Sequence, residues 1–325
     1  MKAVRVHKFG LEHPMQLDEV EDPRPLEGEI LVQTRGIGAH PVDVVIRAAK
    51  HPFHKNFTPP YIPGPEAAGD VIAVGPGVKN FRIGQRVCGR CTGGSYAEKV
   101  RMSATWAMDL PDSYSYAEGA GIVVQFATAW NALVIQAQAG PGEAVLIHGG
   151  AGGVGMAALQ LAKIMGCRVL ATAGTPEKCA LCQGLGADGV INYREGNFAE
   201  SALKLTEGRG VDVIVDCAAD ANLADDVDAI RPGGRIVVLG TAKALDEKAS
   251  FGVQRALVKD ARILCMSMPN LTPHLPGLMR RLCSLVAKTH FSVPTCREMR
   301  LSEANAAHDL LWSGQHHGKV ILLAP

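Results

Sequence analysis

The residues best placed to do chemistry are glycines. Gly150-Ala151-Gly152-Gly153-Val154-Gly155 has the spacing GxGxxG, directly behind the apolar run Ala144-Val145-Leu146-Ile147 and ahead of the helical pattern Met156-Ala157-Ala158-Leu159-Gln160-Leu161-Ala162. A strand, a glycine turn and a helix in succession present backbone N–H groups at a helix N-terminus, where amides and macrodipole together bind a pyrophosphate. One glycine makes the turn, one lets phosphates approach the backbone, and one lets the helix pack on the strand. In a chain with 36 glycines the pattern alone is weak. Its flanking strand and helix make it a dinucleotide site rather than a bare turn.

The following segment indicates which dinucleotide. The strand Arg168–Ala173 ends where NAD-specific proteins place an acid on the ribose 2′-OH, about 20 residues beyond the motif. Here the chain reads Ala173-Gly174-Thr175, with no carboxylate at the strand end and with Lys178 one helical turn on. An absent anion and a present cation suit the additional 2′-phosphate of NADP. A lysine there is also an ordinary solvated helix residue, so the absent acid carries more of the argument.

Around these residues stands a chain of 325 residues, longer than one hydrophobic core usually serves, so two domains are expected. With 47% hydrophobic and 20% charged residues and a formal charge of +1, the composition is globular and offers no basic field for nucleic acid. Met1-Lys2-Ala3-Val4-Arg5-Val6 reads as a short strand rather than a leader, and no apolar run approaches a membrane span. The expectation is a soluble cytoplasmic protein. Nine cysteines, an odd number scattered along the chain, are expected as reduced thiols packed like small apolar residues. Cys88-Gly-Arg-Cys91 and His51-Pro-Phe-His54 make a poor zinc pairing because they lie in different turn-rich segments, so no metal is expected.

The first third alternates short apolar runs (2–7, 29–38, 69–74, 96–101) with clusters such as Pro59-Pro60 and Pro63-Gly64-Pro65, the punctuation of a compact β barrel. A helical run begins near Ser115 and continues toward Ala139. Strands and helices then alternate through Gly240, the pattern of a doubly wound parallel sheet whose ligand binds at the carboxyl ends of the strands. A later strand at Arg262–Met266, helices at 274–288 and 303–312, and a strand at Lys319–Leu323 complete the chain.

Several separated segments together resemble the medium-chain dehydrogenase/reductases, and within them the zinc-independent NADPH quinone oxidoreductases that include zeta-crystallin. These are Pro41-Val42-Asp43-Val44-Val45-Ile46-Arg47, Pro63-Gly64-Pro65-Glu66-Ala67-Ala68-Gly69, Phe126-Ala127-Thr128-Ala129-Trp130, Val190-Ile191-Asn192-Tyr193-Arg194 and Gly318-Lys319-Val320-Ile321-Leu322. The resemblance covers nearly the whole chain in one collinear order. It implies an α/β architecture of two domains: a GroES-like β-rich catalytic domain from residues 1–122 and 290–325, and a Rossmann NADPH-binding domain from 123–289. It assigns Ala151, Gly152, Gly153 and Val154 to the pyrophosphate and Gly174, Lys178 and Tyr193 to the 2′-phosphate. Gly240, Thr241, Ser267 and Met268 fall to the nicotinamide half, with Thr128 nearby. A homodimer paired through sheet edges is also implied.

The chain departs from the family in informative places. Zinc-dependent relatives carry a Cys after the N-terminal strand and a His in a G-H-E turn, whereas this chain has His40 and Gly64-Pro65-Glu66 and lacks a four-Cys lobe. Without a Lewis acid, an electrophile that already accepts hydride is the better substrate, such as a quinone or conjugated enone. The quinone reductases also share an Asn and nearby Tyr residues where this chain has His40, Val45 and His51. His40 and His51 are therefore candidate donors to a carbonyl oxygen, against the simpler readings of a turn cap and a solvated loop residue. His148 is expected as a hydrogen-bonded core residue. A metal-free enoyl reductase or alcohol/aldehyde dehydrogenase, and a non-catalytic NADPH-binding protein of the crystallin type, stand as alternatives.

Overall fold

The computed structural model describes residues 1–241 and 248–325. It divides into two compact units, Met1–Gln125 with His274–Pro325, and Phe126–Pro273.

In the first unit, β1 (Lys2–Arg5) and β2 (Gln16–Glu19) form an antiparallel pair. The main sheet contains β3 (Glu29–Ala39), β4 (Glu66–Val74), β5 (Arg86–Thr92) and β6 (Lys99–Asp109), with β3 pairing both β4 and β6 so that the four strands close on themselves. Bulges in β3 against β4, at Leu31/Val32 and Thr34/Gly36, give the bend this closure needs. Ile30, Val32, Ile37, Val71, Val100 and Met102 fill the interior. β5 has no clear pattern in the sequence. Its Cys88 and Cys91 are buried strand residues.

A seven-residue helix, α1 (Pro41–Arg47), follows β3, with Pro41 in its first turn and the Asp43 Oδ2 accepting from the His40 amide at 3.0 Å. The closing segment joins this unit. β14 (Lys319–Leu323) runs antiparallel to β3 and parallel to β13 (Thr295–Arg300), and α10 (Ala304–Ser313) lies between them in sequence. The helix α9 (Leu275–Lys288) buries Leu275, Leu278, Met279, Leu282 and Val286 and packs on β6. The compact units divide at Pro273/His274 because this amphipathic face, at ~1.5–3 kcal/mol per buried side chain, has its partner in the first unit.

The second unit is a six-stranded parallel sheet in the order β12 (Arg262–Cys265), β11 (Ile230–Val238), β10 (Val211–Asp216), β7 (Ala144–Ile147), β8 (Arg168–Ala173), β9 (Gly189–Asn192). Helices α4 (Gly153–Ile164), α5 (Pro176–Gly184), α6 (Phe198–Leu205), α7 (Ala219–Ala229) and α8 (Val253–Val258) connect the strands. The central β7 and β10 are buried along their whole length, β7 as an unbroken apolar run and β10 as an apolar run that carries the buried Asp212 and Asp216. Strand order reverses between β7 and β10, and this switch point opens the crevice at their carboxyl ends. α7 begins at Ala219, earlier than its apolar pattern indicates, because Asp216 Oδ1 accepts from the Ala218 amide at 2.8 Å and from Asn222 Nδ2 at 3.0 Å.

One expectation is corrected. The helical run 116–136, which includes α2 (Tyr116–Gly119) and α3 (Val123–Trp130), has the length and mean hydropathy, 1.2, of a membrane-crossing helix. It is 72% buried, its apolar side chains serving as core.

Candidate active site

The phosphate cradle is built at the end of β7. Gly149 takes φ +62°, and the Gly149 and Gly150 amides are tied to Thr172 on β8, at Oγ1 (3.3 Å) and at the carbonyl (2.9 Å). A Cβ on Gly150 would lie 2.8 Å from both Ala171 Cβ and Cys182 Sγ, and one on Gly155 only 2.2 Å from the Gly149 carbonyl oxygen. Those two glycines let the turn press against the sheet and α4 against the turn. Gly152 is different. A Cβ there would meet one atom, the Gly149 carbonyl oxygen at 3.3 Å, so its bare face lines open space. Gly152 is also the N-cap of α4 and has no side chain to cap it, leaving the first-turn amides of Gly153 and Val154 as donors for an anion.

At the end of β8, Tyr193 folds over Gly174. Its hydroxyl occupies the space where a Gly174 Cβ would sit, 2.4 Å away, yet the residue is 49% exposed. Lys178 lies half-buried in the first turn of α5, whose cap is Thr175 Oγ1 accepting from the Lys178 amide at 3.3 Å. Glycine, tyrosine and lysine thus flank a strand end that carries no acid.

Further round, the Cys217 carbonyl oxygen, 3.7 Å away, is what lies near the missing Cβ of Gly240 among the described residues, and Thr241 follows it. Ser267 and Met268 follow β12, and Thr128 Oγ1 donates to Met268 Sδ at 3.2 Å. Cys217, exposed at the end of β10, was missed in the sequence. Its Sγ is 3.2 Å from where a Gly149 Cβ would be, and its carbonyl faces Gly240, so it lines the crevice between the two.

Beneath the cradle lies a buried polar network. His148 Nδ1 meets Thr172 Oγ1 at 3.0 Å and Nε2 meets Asp226 Oδ1 at 2.8 Å, as a hydrogen-bonded core histidine should. Among the described residues, Asp216 Oδ2 and Asp226 Oδ2 are buried without a donor. Burial pushes Asp216 up to about 6 and Asp226 to about 8, and pushes His148 down to about 4, so a proton shared by the two carboxyls satisfies both. These three side chains bring one ligand-type atom each within 4.8 Å, a spacing a metal ion accepts, but both His148 nitrogens are already engaged.

The first unit carries its own cluster. His40 Nε2 faces Glu66 Oε2 at 3.3 Å, both side chains being buried. Glu66 Oε1 accepts from the Val124 amide at 2.9 Å. The Gln125 amide, oriented by its neighbours, donates to Glu66 Oε2 at 2.8 Å and accepts from Lys319 Nζ at 2.5 Å. Lys319 Nζ also donates to the Ala39 carbonyl at 3.1 Å. Burial, with the Lys319 charge, holds His40 well below the ordinary imidazole range. Burial raises Glu66 to about 7 against the pull of Lys319, and lowers Lys319 itself to about 8. Asp43, also raised to about 7 by burial, accepts from Tyr96 Oη at 3.3 Å, and that hydroxyl meets His308 Nε2 at 3.1 Å.

His51 is less engaged. Its Nδ1 accepts from the Phe53 amide at 3.1 Å and caps the short helical turn Pro52–Asn56, while its ring is half-buried against Phe53. Both imidazoles stand at N-caps, His51 at the turn Pro52–Asn56 and His40 at α1, where it forms a capping box with Asp43 and also lies among acids. Glu66, Asp43 and Lys319 lay within segments the sequence singled out, but nothing in their spacing showed that they meet.

Two family models match the chain: "alcohol dehydrogenase GroES-like domain" over residues 26–112 and "zinc-binding dehydrogenase" over 153–284. Quinone oxidoreductase of Rattus norvegicus is 32% identical over 99% of this chain and 98% of its own length. The Sus scrofa protein of the same name is 39% identical over 74% of this chain and 73% of its own. Among solved structures, Escherichia coli quinone oxidoreductase complexed with NADPH superposes with a TM-score of 0.87 at 28% identity, covering 99% of this chain and all of the other (100%). The CurK enoyl reductase gives 0.86 at 26% identity over 100% and 99%.

Proposed function

Because the chain belongs to the quinone oxidoreductases of the medium-chain dehydrogenase/reductase superfamily, we propose that it is an NADPH-dependent, zinc-independent reductase of quinones or related conjugated carbonyls. The observation that carries this reading is the acid-free end of β8, where Tyr193 closes over Gly174 and the following helix α5 carries Lys178 in its first turn. Backbone amides from Ala151 to Val154 take the pyrophosphate, the bare face of Gly152 giving it room. Gly174, Lys178 and Tyr193 receive the 2′-phosphate, Lys178 as its counter-charge. Gly240, Thr241, Ser267 and Met268 border the nicotinamide half, and the Thr128 hydroxyl holds the Met268 thioether in place. Bound NADPH supplies the hydride.

Zinc independence is supported by Pro65, which has no ligand atom where zinc-dependent relatives have a histidine. His40 then serves as proton donor to the acceptor oxygen, and a neutral imidazole is the appropriate form for a hydrogen bond to an uncharged carbonyl. His51 plays a lesser part because its Nδ1 is committed to the turn. The likeness to an enoyl reductase keeps that reaction as the second reading, since a conjugated enone needs the same hydride and the same proton.

The exposed apolar side chains of α8, Val253 (61%), Leu257 (64%) and Val258 (81%), stand beside the sheet-edge strand β12, which supports a homodimer paired along that edge. The cytoplasm is the proposed location. The test of function is NADPH oxidation against a panel of quinones and enones. Turnover with quinones exceeding that with aliphatic alcohols or aldehydes, unchanged by chelators, is the expected result; no oxidation with any acceptor rejects the reading.

A further inference from the structure

The glycine turn that forms the phosphate cradle is held from behind by Thr172 of β8. Its carbonyl accepts from the Gly150 amide at 2.9 Å, and its hydroxyl oxygen accepts from the Gly149 amide at 3.3 Å. The two peptide planes on either side of Gly149 are therefore fixed by one residue. Gly149 in turn accepts, through its own carbonyl, from the amide of Gly152 at 2.9 Å, where α4 is capped. Turning either plane would move the first-turn amides that an anion needs.

The Thr172 hydroxyl is itself aimed by what lies deeper. Its Oγ1 meets His148 Nδ1 at 3.0 Å, and His148 Nε2 meets Asp226 Oδ1 at 2.8 Å, all three side chains being buried. One direction satisfies every group. A backbone amide only donates, so Thr172 Oγ1 accepts from Gly149, and among the described residues its own proton has one acceptor, His148 Nδ1. A neutral imidazole with an accepting Nδ1 carries its proton on Nε2, and that proton goes to Asp226 Oδ1. Burial holds His148 down at about 4, so the ring is neutral at neutral pH. Phe198 of α6 stands edge-to-face with the imidazole, ring centroids 4.6 Å apart, and packs beside it.

We infer that Thr172 is a positioning residue for cofactor binding, its hydroxyl aimed by His148 and Asp226 so that it locks the Gly149 peptide in the orientation a pyrophosphate requires. The inference rests on the cradle holding the pyrophosphate of NADPH, as proposed above. Because NADPH and NADH share that group, the contribution of Thr172 is equal for the two, unlike that of Lys178. An unlocked turn must be ordered on binding, and that cost weakens the complex.

The test compares Thr172→Val, which keeps the side-chain shape and removes the hydroxyl, with Thr172→Ser, which restores it. In the protein without cofactor, hydrogen exchange followed by NMR should speed up by about tenfold or more at the Gly149 amide of Thr172→Val. The Gly150 amide, held by the carbonyl of the same residue, should keep its protection. By fluorescence titration, Thr172→Val should raise the Kd of NADPH and of NADH together, by roughly tenfold, and Thr172→Ser should return both to within about twofold of wild type. Nitrogen-15 NMR of the wild-type His148 ring, assigned by its loss in His148→Gln, should show the Nε2–H tautomer at neutral pH. An Nδ1–H tautomer overturns the inference, even if neither Thr172 variant folds. So does a Thr172→Val protein with wild-type affinity, with a loss confined to NADPH, or with a protected Gly149 amide. A Thr172→Ser protein as weak as Thr172→Val assigns the effect to packing and also overturns it. Failure of the underlying reading looks different: the wild type then binds neither dinucleotide, which overturns both, whereas failure of the inference alone leaves wild-type affinity intact.

Discussion

Alanine at Gly152 and at Gly155 should give two different failures, because the two missing side chains face different things. At Gly155 the new Cβ would stand 2.2 Å from the Gly149 carbonyl oxygen and 2.8 Å from Gly150 Cα, both backbone atoms. No rotamer relieves that overlap, and restoring ordinary contact means moving the start of α4 off the turn by about 1 Å, an overpacking strain of ~1–3 kcal/mol. For a unit of this size each kcal/mol lowers Tm by roughly 2–4 °C, so a fall of several degrees is expected, together with the loss of NADPH binding. At Gly152 the Cβ meets only one atom, at 3.3 Å, and the backbone (φ −88°, ψ 167°) suits any residue, so Tm should stay within about 1 °C. Its methyl instead occupies the space for the pyrophosphate. Losing one charge-assisted hydrogen bond, at ~1.5–3 kcal/mol, weakens NADPH roughly tenfold to about 150-fold. Differential scanning fluorimetry without ligand and a fluorescence titration with NADPH separate the two effects. A Gly152→Ala protein that binds NADPH like the wild type would refute the assignment of that face to the phosphates, and an unshifted Tm for Gly155→Ala would refute the packing argument.

Lys178→Ala should raise the NADPH Kd by roughly 10-fold or more and leave NADH within about twofold; equal losses would remove Lys178 from the 2′-phosphate. Asp226 and Asp216 have raised folded pKa values, so their contribution is full below the unfolded carboxyl value of 3.8 and is lost as pH rises from there to about 6 for Asp216 and about 8 for Asp226. His148, depressed to about 4, acts oppositely and only below its unfolded value near 6.5. Asp226→Asn, which can still accept from His148, should therefore flatten the decline of Tm between about pH 5 and 8; a decline as steep as in the wild type contradicts the shared proton. The double variant Leu257→Asp, Val258→Asp should sediment as a monomer if α8 and β12 pair two copies, and a wild-type protein that is already monomeric removes the proposed dimer.

The sequence by itself determined the second unit in most respects. Its central strands are buried on both faces and so appear as short, largely apolar runs, and its helices are amphipathic, which are local properties. The GxGxxG turn and the missing acid after Ala173 are local too, and they were legible because a dinucleotide is bound largely by backbone at strand ends. Tertiary structure decided the rest, where partners are far apart in the chain. β5 carries no clean alternation, and only its pairing with β4 and β6 makes it a strand. The helix α9 had an evident apolar face, but which unit it covers depended on β6. His40, Glu66, Gln125 and Lys319 come from four separate segments, and His148, Asp216 and Asp226 from three. No spacing rule anticipates such clusters, because the charge each group holds is set by burial and by neighbours that only the fold brings together.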